Sequence, residues 1–226
     1  MTEMEVVYNE ERRKQFVAQG ACPPDALKRL QDHFHTTIDK YKKEKPNGWT
    51  GMFMKWWIDT PPHGRLCLIS EYKEKYIPHL ESFHWIRISL ELLKQVEIVI
   101  NIQDIAHVRV IYKDLTIDEQ FESDYDKQHY YQHGRSSLDE VYTCIYCLQK
   151  DPTVTDGHIV LYPNFSQECA NSTSFLPCFT NHMNFDLPMK EGSVMILSGQ
   201  TVHNIPNITG HGSMRIMGVT IYKKPM

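Results

Sequence analysis

GSVMILSGQTVHNIPNITGHGSMRIMGVTIY, Gly192–Tyr222, is the stretch that decides the fold. It contains two apolar runs, SVMILSG from Ser193 and RIMGVTIY from Arg215, each of strand length and β-rich composition. A connection with Pro, Gly and Asn separates them, as expected between neighbouring strands of an antiparallel sheet. Upstream the same grammar recurs. IAHVRVIY from Ile105, EVYTCIYCL from Glu140 and GHIVLYP from Gly157 each read as a strand bounded by turn residues. Several short strands closing a chain, after helices able to cover one face, imply an α+β domain built around a sandwich or barrel.

Before Ile105 the apolar period is helical. PPDALKRLQDHFHTTIDKYKKEK places Pro at a helix start and spaces Ala26, Leu27, Leu30, Phe34 and Ile38 as one stripe, with lysines at the C-terminal end. YIPHLESFHWIRISLELLKQVEIVINI predicts a second helix with Leu80, Phe83, Ile86 and Leu90 on one face. Between them, KPNGWTGMFMKWWIDTPPHGR reads as an aromatic loop with room for a short strand, its Trp49, Trp56 and Trp57 serving as core or as a pocket wall. The expected organisation is one domain over residues 1–226, with helical support to about residue 104 and the strand-built core from about 105.

A net charge of -4 and a pI near 6.3 provide no broad basic face for nucleic acid or an anionic membrane. No apolar run approaches the roughly 18 to 20 residues of a membrane span, and MTEMEVVYNEERRKQ lacks the pattern of a secretory signal. A soluble, cytoplasmic protein is the expectation. The six cysteines are too sparse for a disulfide scaffold, and Cys144 and Cys147, although a CxxC, should point to opposite faces of a strand. The Asn-x-Ser/Thr triplets at Asn164, Asn171 and Asn207 carry no weight without a signal sequence.

Strand ends are where chemistry is expected. His129 precedes one strand and His203 follows another, and a rolled antiparallel sheet brings such ends together. Two imidazoles and one carboxylate, leaving three open positions, form the facial triad of non-heme Fe(II) oxygenases. Twelve residues beyond His203, Arg215 opens a strand that starts near Ser213. An arginine fork there suits the distal carboxylate of 2-oxoglutarate.

The stretch Gly192–Tyr222 resembles the C-terminal half of the Fe(II)/2-oxoglutarate-dependent dioxygenase core, where a metal histidine follows a Gly-led strand and a co-substrate arginine follows in turn. HYYQHGRSSLDEVYTCIYCLQKD, His129–Asp151, resembles the prolyl-hydroxylase branch, in which His-x-Asp precedes such a strand, and GHIVLYP is similar to its next strand. The similarity spans roughly residues 105 to 224, about half the chain. It implies a double-stranded β-helix (jelly-roll), with His129 and His203 as ligands to Fe(II). It also implies that Arg215, with Ser213 beside it, holds 2-oxoglutarate. Two departures accompany the match. HYY stands where the family has HYD, so Tyr131 occupies the carboxylate position of the catalytic and metal set. Cys147 stands where prolyl hydroxylases tend to have a tyrosine reaching the co-substrate, and Tyr146, Tyr112 or Tyr162 is the replacement.

Four readings of Tyr131 stand. It is itself a phenolate ligand, its ordinary pKa near 10 lowered by the bound cation. A carboxylate from Asp126, Asp139 or Glu140 reaches in beside it. The metal site has been lost, naturally or by a deliberate change, and the fold serves binding. Or His133 joins His129 and His203 in a three-histidine centre, which requires a turn near Gly134 because residues four apart on a strand lie about 13 Å apart. The expected function is an Fe(II)/2-oxoglutarate oxygenase acting on a C–H bond of a small molecule or peptide. The alternatives are a silent binding protein of the same fold and a metal oxygenase independent of 2-oxoglutarate.

Overall fold

The chain begins in strands. β1 (Glu5–Glu10) and β2 (Gln15–Ala21) pair antiparallel, with Asn9 opposite Phe16. α1 (Pro24–Glu44), β3 (Phe53–Asp59), β4 (Arg65–Tyr72), a 3-10 stretch (Glu74–Ser82), α2 (His84–Gln95) and a 3-10 turn (Ile102–Asp104) follow. The remainder is β: β5 (Ile105–Phe121), β6 (Val141–Lys150), β7 (Val154–Asp156), β8 (His158–Leu161), β9 (Phe185–Pro188), β10 (Ser193–Ser198), β11 (His203–Asn204) and β12 (Ile208–Lys223). The computed structural model describes residues 3–10, 15–44, 53–59, 65–121, 140–156, 158–161, 185–199, 201, 203–204 and 208–224.

Among these residues two sheets form. The larger runs in the order β1-β2-β10-β6-β12-β5-β4-β3, with β7 also pairing β12, and the smaller in the order β11-β8-β9. Its longest ladder joins β12 to β5, from Ile208 opposite Phe121 to Tyr222 opposite His107. The fold is α+β with a jelly-roll core. The change from helical to alternating period expected at Ile105 coincides with the start of β5.

Two apolar clusters lie on the two sides of the larger sheet. The outer one is roofed by helices. On α1, Leu30, Phe34, Ile38 and Tyr41 are buried, which is the stripe read from the sequence carried one turn further. On α2, Trp85, Ile86, Leu92 and Leu93 are buried, and both helices close over Leu68, Val108, Val110, Tyr112, Cys144, Tyr146, Val194, Met217 and Val219. Each such side chain contributes roughly 2 kcal/mol by leaving water. The inner cluster joins the two sheets. Leu115, Ile117, Ile145, Cys147, Met195, Leu197, Met214 and Ile216 of the larger meet Ile159 and Leu187 of the smaller. Cys144 and Cys147 thus face opposite sides, as alternation requires.

The N-terminal region departs from the helical support expected of it. It contributes β1, β2, β3 and β4 to the larger sheet, and the stretch read as an aromatic loop carries β3, in which Trp56 and Trp57 lie. Val17 and Ala18 of β2 are fully buried on opposite sides, in the inner and outer clusters respectively, so this strand shows no polar alternation to read. The second predicted helix is also divided. Pro78 lies in the 3-10 stretch, and Phe83, with extended dihedrals of φ -91 and ψ 123, separates it from α2. Among the described residues no helix is long and apolar enough to cross a membrane.

Candidate functional site

His203 is held by a turn that the local sequence builds from hydroxyls. After β10, the Gly199 N–H donates to the Val141 carbonyl at 2.6 Å and the Thr201 N–H to the Ser198 carbonyl at 3.0 Å. Ser198 Oγ and Thr201 Oγ1 are 3.0 Å apart. The Phe16 N–H donates to Ser198 Oγ at 3.0 Å, and Thr201 Oγ1 donates to the Phe16 carbonyl at 3.3 Å. The turn is therefore tied both to itself and to β2. Its exit places His203 opposite position 161 of β8. That position is two residues from Ile159, whose side chain lies in the inner cluster, so the alternation of β8 directs the imidazole to the same inner face.

His203 is 4% exposed, and its Nδ1–H donates to the Thr201 carbonyl at 3.2 Å. A carbonyl only accepts, so this bond fixes the tautomer with its lone pair on Nε2. Burial holds the imidazole well below its ordinary range, at about 4; the bond to Thr201 opposes this and the charge of Lys113 reinforces it. A neutral imidazole, oriented through Nδ1 by a backbone carbonyl, is the form in which histidine ligates a metal.

Lys113 belongs to the same space. It stands directly opposite Ile216 in the β5–β12 ladder, and Ile216 and Leu115 both lie in the inner cluster. It is not among the residues expected from the sequence. Lys113 stands between Ile111 and Leu115 on the face that also carries Ile117 and, nearer the strand start, Arg109.

The expected co-substrate residues lie elsewhere. Arg215 stands opposite Asp114, one step out of register with Lys113 and Ile216, and so on the other face. Its Nε donates to Asp114 Oδ1 at 3.0 Å, and its terminal nitrogen to Gln149 Oε1 at 2.6 Å, with His35 of α1 at 3.3 Å from the same nitrogen. Ser213 accepts from Gln149 Nε2 at 3.3 Å within this group. Tyr146 is fully buried in the outer cluster, where its hydroxyl lies 2.7 Å from Ser89 Oγ beneath α2. Tyr112 is in the same cluster, 2.9 Å from His33 Nε2. The structure therefore does not bring Arg215, Ser213 or Tyr146 together with His203. Cys147 does lie in the inner cluster, its thiol pushed up to about 12 by burial, which makes it an inert apolar group. His129, Tyr131, His133, Asp126, Asp139 and Tyr162 lie outside the described residues, as do Trp49, Asn164, Asn171 and Asn207. Glu140 is described, and its carboxylate pairs with the Lys223 ammonium.

This architecture has counterparts among solved structures. AviO1 from Streptomyces viridochromogenes Tue57 superposes with a TM-score of 0.58 at 14% identity, over 92% of this chain and 90% of that one. SnoK, a non-heme α-ketoglutarate-dependent carbocyclase from nogalamycin biosynthesis, superposes with a TM-score of 0.52 at 10% identity, over 96% of this chain and 85% of that one. SnoN, a non-heme α-ketoglutarate-dependent epimerase from the same biosynthesis, gives 0.51 at 9%, over 92% and 76%. The chain has the fold of the Fe(II)/2-oxoglutarate oxygenases. No protein-family model matches it, and no curated protein does. At such identities the likeness speaks to architecture. A buried, neutral histidine oriented through Nδ1 on the inner face has the donor chemistry of a metal ligand.

Proposed function

We propose that the protein is an Fe(II)- and 2-oxoglutarate-dependent oxygenase that oxidises a C–H bond of a small molecule or peptide, with hydroxylation as the default outcome. The observation that carries this reading is His203: buried, neutral and held through Nδ1 on the face between the sheets. In this reading His129 and His203 hold the iron, and Tyr131 or a carboxylate beside it completes the protein ligands. Bound iron supplies the chemistry that amino acids lack, the activation of oxygen. The chain's own residues do the rest. Thr201 fixes the imidazole, and Ile159, Leu187 and Ile216 exclude water from the space beside it. SnoN and SnoK, both of nogalamycin biosynthesis, support a small-molecule substrate.

Anaerobic titration with Fe(II) and then 2-oxoglutarate tests the reading. Tight, stoichiometric iron and a weak visible charge-transfer band are expected, with both lost in His203→Ala. If the natural chain takes up no iron and Tyr131→Asp restores it, the protein is a silenced member of this fold whose role is binding.

A further inference from the structure

We propose that Trp85 Nε1 and Ser70 Oγ share an internal site for one small neutral ligand of the water class, which fastens the helical roof to the larger sheet. The site lies on the outer side of that sheet and is independent of the oxygenase reading. Trp85 belongs to α2 and Ser70 to β4, and each is 1% exposed. Neither Trp85 Nε1 nor Ser70 Oγ finds a hydrogen-bond partner among the described residues. Leaving a buried donor unmet is costly, and buried polar groups are met either by protein or by ordered water.

The surroundings bring the two groups into one aromatic cluster and limit what it accepts. The Trp85 ring lies 5.1 Å from that of Tyr72 and 6.4 Å from that of His33, centre to centre. Ser70 Oγ is close enough to the phenols of Tyr72 and Tyr112 to weigh on the ionisation of both, without reaching hydrogen-bond geometry. Tyr112 is itself buried, and its hydroxyl lies 2.9 Å from His33 Nε2. Polar atoms from α1, α2, β4 and β5 therefore meet in this cluster. An indole N–H only donates, whereas a hydroxyl both donates and accepts. A ligand that accepts from Trp85 and exchanges bonds with Ser70 and the phenols must do both, as a buried water does with about three partners. Charge is disfavoured by the same burial. It holds His33 low, at about 4, and pushes both phenols up, so an ion placed here would meet the same desolvation cost.

A high-resolution crystal structure of the natural chain and a thermal-denaturation cycle test the site together. The crystal should show one ordered water within hydrogen-bond distance of both Trp85 Nε1 and Ser70 Oγ. In solution, melting temperatures are compared for the natural chain, Trp85→Phe, Ser70→Ala and the double variant. Trp85→Phe trims packing as well as removing the N–H, but the packing part is common to both backgrounds and cancels. If one ligand bridges the two groups, Trp85→Phe should lower the melting temperature roughly half as much, or less, in the Ser70→Ala background, where the bridge is already broken. Equal shifts in the two backgrounds overturn the proposal. So does a natural-chain crystal in which Nε1 and Oγ bond directly to protein atoms or the site is empty. Crystals soaked in bromide supply the last arm: no anomalous signal should arise at the site, and a signal there makes it an anion site and overturns the assignment of a neutral ligand.

Discussion

Arg215 and Asp114 face each other across the β12–β5 ladder and join Nε to Oδ1 at 3.0 Å, on the side of the larger sheet that α1 covers. This pair is a structural tie. Both side chains are mostly buried, and Gln149 adds a second bond to the guanidinium at 2.6 Å. Arg215→Met removes one partner of the Asp114 carboxylate, so a loss of about 1 to 3 kcal/mol is expected. Urea denaturation should show that loss, while iron affinity in an anaerobic titration stays that of the natural chain.

Tyr146 is the second residue whose role separates from the site. Its hydroxyl bonds Ser89 Oγ at 2.7 Å, and Ser89 Oγ also reaches the Trp85 carbonyl at 2.9 Å. Removing the phenol oxygen leaves the serine hydroxyl with that second partner. Tyr146→Phe should therefore cost only about 1 kcal/mol in the denaturation midpoint. The affinity for 2-oxoglutarate should not change, whereas a direct contact with the co-substrate would make it fall.

These two residues show where reading from sequence stops. The stripe Leu30, Phe34, Ile38 was legible because a roofing helix has one apolar face, and β5, β6, β8, β10 and β12 were legible because turn residues separate their apolar runs, whereas the two- to four-residue strands β7, β9 and β11 are too short to show a period. Arg215 was placed by its distance from His203, but the face of a strand residue depends on parity. Gly210 and Gly212 take positive φ between the two residues, and the ladder to β6 slips at Arg215/Ile216, so counting by twos from His203 fails. β2 was missed for another reason. A strand buried on both faces offers no alternation, and the pairing of β2 with β10 joins residues far apart in sequence.

Gly210 is where β12 crosses the turn after β6. It has φ +109, and a Cβ there would overlap the Thr153 carbonyl oxygen, a backbone atom with little freedom to move. Gly210→Ala should lower stability by about 2 kcal/mol or more, seen as a lower melting temperature. Gly218→Ala is the matched control in the same strand. Its Cβ would meet only Ile111 Cβ at 3.8 Å, and the substitution should be close to neutral.

His33 makes stability depend on pH. Burial, aided by the nearby His84, lowers its imidazole to about 4, and Nε2 lies 2.9 Å from the Tyr112 hydroxyl. An unfolded chain protonates this ring near its ordinary pKa of about 6.5, so between those values the unfolded state binds the extra proton. Stability is therefore full above the unfolded pKa and falls as pH drops toward 4, by at most about 3 kcal/mol from this residue. His107 is also held low by burial and slopes the same way. Denaturation midpoints from neutral to acid pH should fall in the natural chain, and His33→Gln should flatten part of that slope.

Thr201 lets the seating of His203 be tested apart from the imidazole itself. Its carbonyl accepts from His203 Nδ1, and its hydroxyl ties the turn to Ser198 and Phe16. Thr201→Val keeps the side chain's shape and removes the tie, freeing the carbonyl that orients the ring. Residues that orient a metal ligand typically alter affinity by about 10- to 100-fold, and a loss near the lower figure is expected because the carbonyl itself remains. Thr201→Ser restores the hydroxyl and should restore affinity. Iron or cobalt titration beside denaturation separates the outcomes. A drop in stability with unchanged metal affinity would make the hydroxyl network a fastener of β2 alone, whereas a drop in affinity that serine rescues ties the turn to the function of His203.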